Sequence, residues 1–136
     1  MPIETFSGHQ PDRKEISSRS NRAWTYPGQG IQTVGMGHEL STVSKFAAKT
    51  YQVSDKILGF PISAISFEGP EDKLNQTVNT QPAIFIFNFI CEELLKQQNP
   101  DLTHKKMVAG HSLGEYNALV AAEALGFQDA LWLVGE

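Results

Sequence analysis

Two periods of apolar and polar positions alternate along the chain. Ala23-Trp24-Thr25-Tyr26 is a short run rich in strand formers, broken at once by Pro27-Gly28-Gln29-Gly30, which predicts a strand followed by a turn. Leu40, Val43, Phe46, Ala47, Tyr51 and Ile57 recur mainly at three- and four-residue intervals and predict one amphipathic helix, stopped by Gly59-Phe60-Pro61. Phe67 to Thr80 is mostly polar, with one short helix expected after Pro70, where Glu71 and Asp72 suit a first turn. Pro82 reads as the first-turn proline of a helix carrying Ala83, Phe85, Ile86, Phe89, Ile90, Leu94 and Leu95. That helix is apolar on most sides in its early turns and is therefore expected to be buried there, ending at Asn99-Pro100. Lys105 to Ala109 predicts a second strand, Glu115 to Leu125 a helix rich in Ala and Leu, and Phe127 to Val134 a last helix. Strands alternating with helices make this an α/β chain.

Composition narrows the class. At 136 residues the chain accommodates one domain with its own core. Its 11 Lys and Arg against 15 Asp and Glu leave a net charge of -4, the wrong balance for a nucleic-acid surface. The longest apolar run, Ala83 to Cys91, is interrupted by Asn88 and falls far short of the roughly 20 residues of a membrane span. Cys91 is the only cysteine, so there is no disulfide framework and no metal-site spacing, and on an apolar helix it reads as a small core residue. Residues 1–22 are polar, with Ile3, Phe6 and Ile16 as their only large apolar residues after Met1, and are expected to form a flexible leader before a domain over residues 23–136. Arg13, Arg19 and Arg22 among serines follow the pattern of an organelle transit peptide, but Glu4, Asp12 and Glu15 break it, which favours a plain flexible leader; the expected location is the cytoplasm, with organelle targeting by the leader as the alternative.

Gly110-His-Ser-Leu-Gly114 matches the nucleophile-elbow pattern G-x-S-x-G between a strand-like and a helix-like segment. Small residues on both sides let strand and helix approach closely, and the turn projects the Ser112 hydroxyl at a helix N-terminus, where developing negative charge is favoured. A tight turn with an idle serine has the same pattern. A serine needs a base, and none of the four histidines is a convincing one. His9 lies in the leader, His38 opens a helix, His104 belongs to the far end of the sheet, and His111 points away from its neighbour Ser112. Pro27-Gly28-Gln29-Gly30 would fall at the same sheet edge as Ser112, either as a ligand-facing loop or as a plain turn; Thr33 at the third glycine position excludes a dinucleotide fingerprint. Asn75-Gln76-Thr77 is a glycosylation sequon by pattern and a solvent loop by context, and Lys105-Lys106 is too small a patch to matter.

Taken together, these segments resemble the malonyl-CoA:acyl carrier protein transacylase family and the acyltransferase domains of fatty-acid and polyketide synthases. The carriers are Tyr26-Pro-Gly-Gln-Gly30 with Val34-Gly-Met-Gly37, Gly69-Pro-Glu-Asp-Lys-Leu74, Asn79-Thr-Gln-Pro-Ala83, and Ala109-Gly-His-Ser-Leu-Gly-Glu-Tyr116 running on to Ala118-Leu-Val120, in register from Trp24 to Glu136. The resemblance implies an α/β-hydrolase-like large subdomain with a parallel sheet and nucleophile elbow, present in part. The ferredoxin-like small subdomain of the family is absent from these residues. It also implies a ping-pong transfer in which Ser112 takes a malonyl group from coenzyme A and passes it to the phosphopantetheine thiol of an acyl carrier protein. The N–H groups of Leu113 and Gln29 would form the oxyanion hole, and Gln81 and His111 would contact the substrate. Leu113 after the serine is the malonyl-type residue. No metal and no cofactor beyond the coenzyme A thioester are implied, and no nucleic acid or membrane partner. Family members are longer, and their catalytic His and carboxylate-binding Arg fall outside these residues, the Arg at the position after Glu136. The chain alone is therefore expected to transfer little. An acyl hydrolase of the same fold, or a non-catalytic remnant that binds carrier protein or coenzyme A, would share the motifs.

Overall fold

The first strand ends at Tyr26, where Pro27 and Gly28 turn the chain out of the sheet. A computed structural model describes residues 22–136; the leader expected over residues 1–22 lies outside the described residues except for Arg22. Strand β1 (Ala23–Tyr26) pairs in parallel with β2 (Met107–Gly110), in the register Ala23 to Met107 through Tyr26 to Gly110. The second strand starts two residues later and ends one residue later than its sequence pattern suggests, since Gly110 belongs to it and pairs opposite Tyr26. Trp24, Tyr26, Val108 and Gly110 share the face packed on the helices, while Ala23, Thr25, Met107 (62 % exposed) and Ala109 share the outer one.

Between the strands run α1 (His38–Val43), α2 (Lys45–Leu58), α3 (Ile62–Glu68), α4 (Glu71–Leu74), α5 (Thr77–Gln98) and a 3-10 turn, Pro100–Thr103. After β2 come α6 (Gly114–Ala121) and α7 (Phe127–Gly135). Four boundaries differ from the expected ones, each for a local reason. The single helix expected over Leu40 to Ile57 is two, because Ser44 adopts an extended backbone and its Oγ accepts the Ala47 N–H at 3.2 Å as an N-cap. Helix α3 was not expected. It is pinned from α2 by Asp55, whose carboxylate accepts the Ser63 N–H at 2.9 Å and the Ser63 hydroxyl at 2.6 Å, and it buries Ile62 and Ile65. Pro82 is not in the first turn of α5 but is its sixth residue. The turn before it is held from outside, by the Asn79 side chain donating to the Lys73 carbonyl at 2.8 Å and the Thr80 hydroxyl donating to the Leu74 carbonyl, so the N–H missing at Pro82 does not break the helix. Helix α6 stops at Ala121 rather than near Leu125. Glu123 has φ 59, and the 3.0 Å bonds Ala124 N–H to Leu119 O and Glu123 N–H to Val120 O form a Schellman ending.

Helix α5 is the centre of the core. Ala83 to Ile86 and Ile90 are fully buried, against Ala47 and Tyr51 of α2, Ile62 and Ile65 of α3, and Ala130 and Leu131 of α7. Phe127 stacks on Phe85 at 5.5 Å and tilts against Phe89 at 4.2 Å, which fixes α7 against α5. Toward the sheet, α5 presents a carboxylate instead. Buried Glu92 accepts the Tyr26 hydroxyl at 2.7 Å and pairs with Lys105 at 2.8 Å and Lys96 at 2.7 Å. Burial by itself would raise the Glu92 pKa, but the hydrogen bonds from Lys105, Lys96 and Tyr26 outweigh it and hold the carboxyl below its ordinary value. A carboxylate whose folded pKa is depressed stabilises the fold fully above its unfolded pKa of about 4.3, and that contribution is lost as pH falls through the folded value. Glu92→Gln is thus expected to destabilise the chain by about 1–3 kcal/mol at pH 7. The gap in melting temperature between variant and wild type should close as the pH is lowered below about 4. A gap constant down to pH 2.5 in calorimetric melts would contradict this role.

Candidate active site

In-register parallel pairing delivers two turns to one edge of the sheet, Pro27-Gly28-Gln29-Gly30 after β1 and His111-Ser112-Leu113 after β2. They pack backbone on backbone. The His111 N–H donates to the Tyr26 carbonyl at 3.0 Å, continuing the ladder by one bond beyond the strands. A Cβ on Gly114 would collide with the Tyr26 carbonyl, and one on Gly110 with the backbone of Gly114, so strand and helix meet at a distance only glycine permits. A Cβ on Gly28 would stand 2.7 Å from the His111 carbonyl oxygen and 3.4 Å from Ser112 Cβ, so the first turn lies directly against the serine.

Ser112 itself has φ 53, in the left-handed region that non-glycine residues avoid, and its side chain is exposed. Leu113 follows in right-handed geometry as the residue that opens α6, with its side chain only 4 % exposed in the core. Among the described residues neither the N–H of Leu113 nor that of Gln29 has a protein acceptor, whereas the next N–H in each turn is taken: Gly114 by His111 O at 2.9 Å and Gly30 by Gln32 Oε1 at 2.8 Å. The site thus offers a serine hydroxyl at the start of a helix, with a backbone N–H lacking a protein acceptor in each of its two turns.

Among the described residues the histidines do not engage that hydroxyl. His111 is exposed with its Nδ1 on the Gly28 side, His104 is exposed in the segment that enters β2 and so lies at the other end of the strand from Ser112, and His38 rests on Phe67 with ring centroids 5.2 Å apart. His9 lies outside the described residues. Among the described residues no histidine hydrogen-bonds to Ser112, and no group of His, Cys, Asp and Glu is arranged to hold a metal ion. Cys91 is half-buried on α5, with its thiol pKa pushed up by burial, which suits a packing role. Gln81 is half-buried on α5 and shares one face of that helix with Asn88 and Glu92, seven and eleven residues on. Seven residues at a rise of ~1.5 Å put it roughly 10 Å before Asn88 along the axis. A separate apolar cleft of about 320 Å³ lies between α2, α5 and α7, lined by Phe46, Lys49, Thr50, Val53, Phe89 and Phe127; none of the candidate site residues reaches it.

Two residues that the motifs do not single out stand directly behind the site. Asn88 Nδ2 donates to the Pro27 carbonyl at 3.2 Å and to Asn117 Oδ1 at 3.1 Å, and Asn117 Nδ2 donates to the Phe85 carbonyl at 3.0 Å. The one trace of them in the sequence is that Asn88 interrupts an otherwise apolar run.

A parallel strand pair with a strained serine between strand and helix, and a glycine turn laid against it, defines an α/β protein built around that serine. The chain belongs to the acyl transferase domain family, whose sequence profile matches residues 23–135. It is 42% identical over 112 residues to a malonyl CoA-acyl carrier protein transacylase of Haemophilus influenzae, covering 82% of this chain and 36% of that protein. Its fold matches the acyl-carrier-protein S-malonyltransferase crystal structure from Bartonella henselae with a TM-score of 0.79 at 38% identity, covering 85% of this chain and 37% of the other. A malonyl-transacylase solved in complex with its type II polyketide acyl carrier protein matches with a TM-score of 0.78 at 35% identity, over 85% of this chain and 37% of that one. The chain thus spans somewhat more than a third of the length of the relatives it matches. No helix among the described residues is long and apolar enough to cross a membrane.

The backbone at Ser112 carries its own test. At an ordinary position glycine is less stabilising than alanine, by roughly 0.5–1 kcal/mol in regular structure. With φ 53 the order should invert, Ser112→Gly being more stable than Ser112→Ala by about 1 kcal/mol. Denaturant melts that place the alanine variant higher would show that this turn is not strained.

Proposed function

We propose that this chain carries the nucleophile and the oxyanion-binding part of a malonyl-CoA:acyl carrier protein transacylase acting in fatty-acid or polyketide synthesis. The observation that supports it best is Ser112 in left-handed backbone at the head of α6, with Gly28 packed against it. The surrounding unit is read as part of an α/β-hydrolase-like large subdomain. The Ser112 hydroxyl attacks the thioester carbonyl of malonyl-CoA. Its proton passes to a base, the C–S bond breaks, and the coenzyme leaves as the thiol once protonated. The resulting serine ester is then attacked by the phosphopantetheine thiol of the carrier protein, which regenerates the hydroxyl. In both steps the carbonyl oxygen becomes an oxyanion, and the N–H groups of Leu113 and Gln29 are assigned to receive it, a reading supported by their lack of a protein acceptor among the described residues. Gln81 and His111 are the side chains assigned to the acyl group, and malonyl-CoA enters as substrate, with no resident cofactor.

The described residues supply no imidazole to Ser112, so in the 136-residue chain alone the serine stays a neutral alcohol near pH 7 and reacts slowly. Incubating the chain with malonyl-CoA and mapping the adduct by mass spectrometry is expected to show slow acylation confined to Ser112. Added imidazole should accelerate it and Ser112→Ala should abolish it. A label elsewhere, or one surviving in the alanine variant, overturns the assignment. If the acyl-enzyme decays to malonate as fast with a carrier-protein thiol present as without it, the protein is a hydrolase instead.

The donors are separated by a proline scan. Because the Leu113 side chain is buried, truncating it opens a cavity and confuses stability with catalysis, so exposed Gln29 is the better probe. Gln29→Ala keeps the N–H and should acylate near the wild-type rate. Gln29→Pro deletes it and should slow acylation by ~10²–10³, the usual cost of one oxyanion donor. Equal rates in two variants that melt alike would remove Gln29 from the oxyanion hole.

A further inference from the structure

We infer that Asn88 and Asn117 are positioning residues for the oxyanion site, joined into a strut that sets the distance between its two backbone donors; the inference rests on the roles given above to Gln29 and Leu113. The Asn88 amide has two N–H bonds, and they are divided between the two halves of the site. One goes to the carbonyl of Pro27, two residues before Gln29, and the other to Asn117, four residues after Leu113. Asn117 in turn gives an N–H to the Phe85 carbonyl, so both amides are oriented without ambiguity, each nitrogen facing a backbone oxygen.

Three features separate this strut from ordinary packing. First, the pair is buried, Asn88 at 8 % and Asn117 at 2 % exposed, where two apolar side chains would fill the α5–α6 contact without the cost of desolvating two amides. Second, Pro27 lies one residue beyond the last ladder pair, Tyr26 with Gly110, so the strand register does not hold its carbonyl; Asn88 does. Third, Asn117 sits one helical turn above Leu113 on the same face of α6, so a shift at Asn117 moves the Leu113 N–H as part of a rigid helix. Along α5, Glu92 grips the end of β1 through the Tyr26 hydroxyl and Asn88 grips the next residue, Pro27, so the helix holds the chain up to the edge of the turn that bears Gln29.

The test is single-turnover acylation of Ser112 by malonyl-CoA with imidazole present, over a range of malonyl-CoA concentrations, together with melting curves and backbone ¹⁵N order parameters. Asn88→Ala is expected to lower the limiting acylation rate about 10- to 100-fold while half-saturation stays within about twofold, because the buried amide touches no substrate but aligns a donor that matters in the transition state. Order parameters at Gly28 and Gln29 should fall from about 0.85 toward 0.6. Asn117→Ala should act in the same direction, and the double variant should be no slower than the slower single one, because both cut the same strut. Asn88→Ser retains one donor in a smaller volume and should lie between Asn88→Ala and wild type; it decides the matter if the alanine variant does not fold. A folded Asn88 variant with lowered melting temperature but unchanged limiting rate and unchanged order parameters overturns the inference, leaving the pair as mere packing. If wild type itself is not acylated at Ser112, the catalytic reading fails separately. The order parameters of Gly28 and Gln29 then still decide whether Asn88 positions the turn: unchanged values overturn that too.

Discussion

Parallel pairing of β1 with β2 in one fixed register is the constraint on which the rest of the molecule depends. Only because Tyr26 lies opposite Gly110 do the two chain segments leave the sheet at the same edge, with Gly28 against Ser112. A parallel pair cannot be closed by a tight turn and needs a long crossover. Here the crossover contains α1 to α5, and its helices form most of the core. The architecture therefore makes the apolar interior a by-product of bringing two short turns together.

Among the described residues the sheet consists of two four-residue strands, which hold themselves weakly, and α5 makes up the difference from behind. It does so with polar groups: Glu92 on the Tyr26 hydroxyl and Asn88 on the Pro27 carbonyl. Hydrophobic contacts are non-directional and would let the strand end slide by a fraction of an ångström; a buried carboxylate and amide accept only one geometry. The price is desolvation, offset for Glu92 by Lys96 and Lys105 and for Asn88 by complete use of its donors.

Strain is concentrated where the chemistry is proposed. Ser112 is held at φ 53 by the ladder bond from His111 to Tyr26 on one side and by α6 on the other, while Gly110 and Gly114 absorb the closeness of strand and helix. The other non-glycine residue with positive φ among the described residues, Glu123, merely ends α6. Positive φ alone is thus no mark of a site. At Ser112 it coincides with exposure, a helix start and a second loop in contact; at Glu123 it has a Schellman ending to explain it.

Local signals sufficed for the strand at Ala23 to Tyr26, the serine turn with its flanking glycines, the short helix after Pro70 and the last helix, because each is written in adjacent residues as strand formers, small residues, a proline or a 3.6-residue period. The same signals misread Pro82 and missed α3, since what permits a helix to start five residues before a proline is Asn79 and Thr80 reaching α4, and what starts α3 is Asp55 reaching from α2. They also start β2 two residues early and end it one residue early, because no pattern along one strand reveals which residue faces Tyr26. Ser112, Gln29 and Leu113 were legible as motif positions, but the approach of the two turns, with Gly28 against Ser112, was decided by the strand register. Asn88 and Asn117, ordinary polar letters in apolar helices, have a role only once α5 and α6 are packed together. Sequence alone determined which segments carry turns and which residues could react. The tertiary structure decided which of them face one another, because hydrogen bonds between residues 29 and 61 positions apart depend on where whole elements dock and not on any period along the chain.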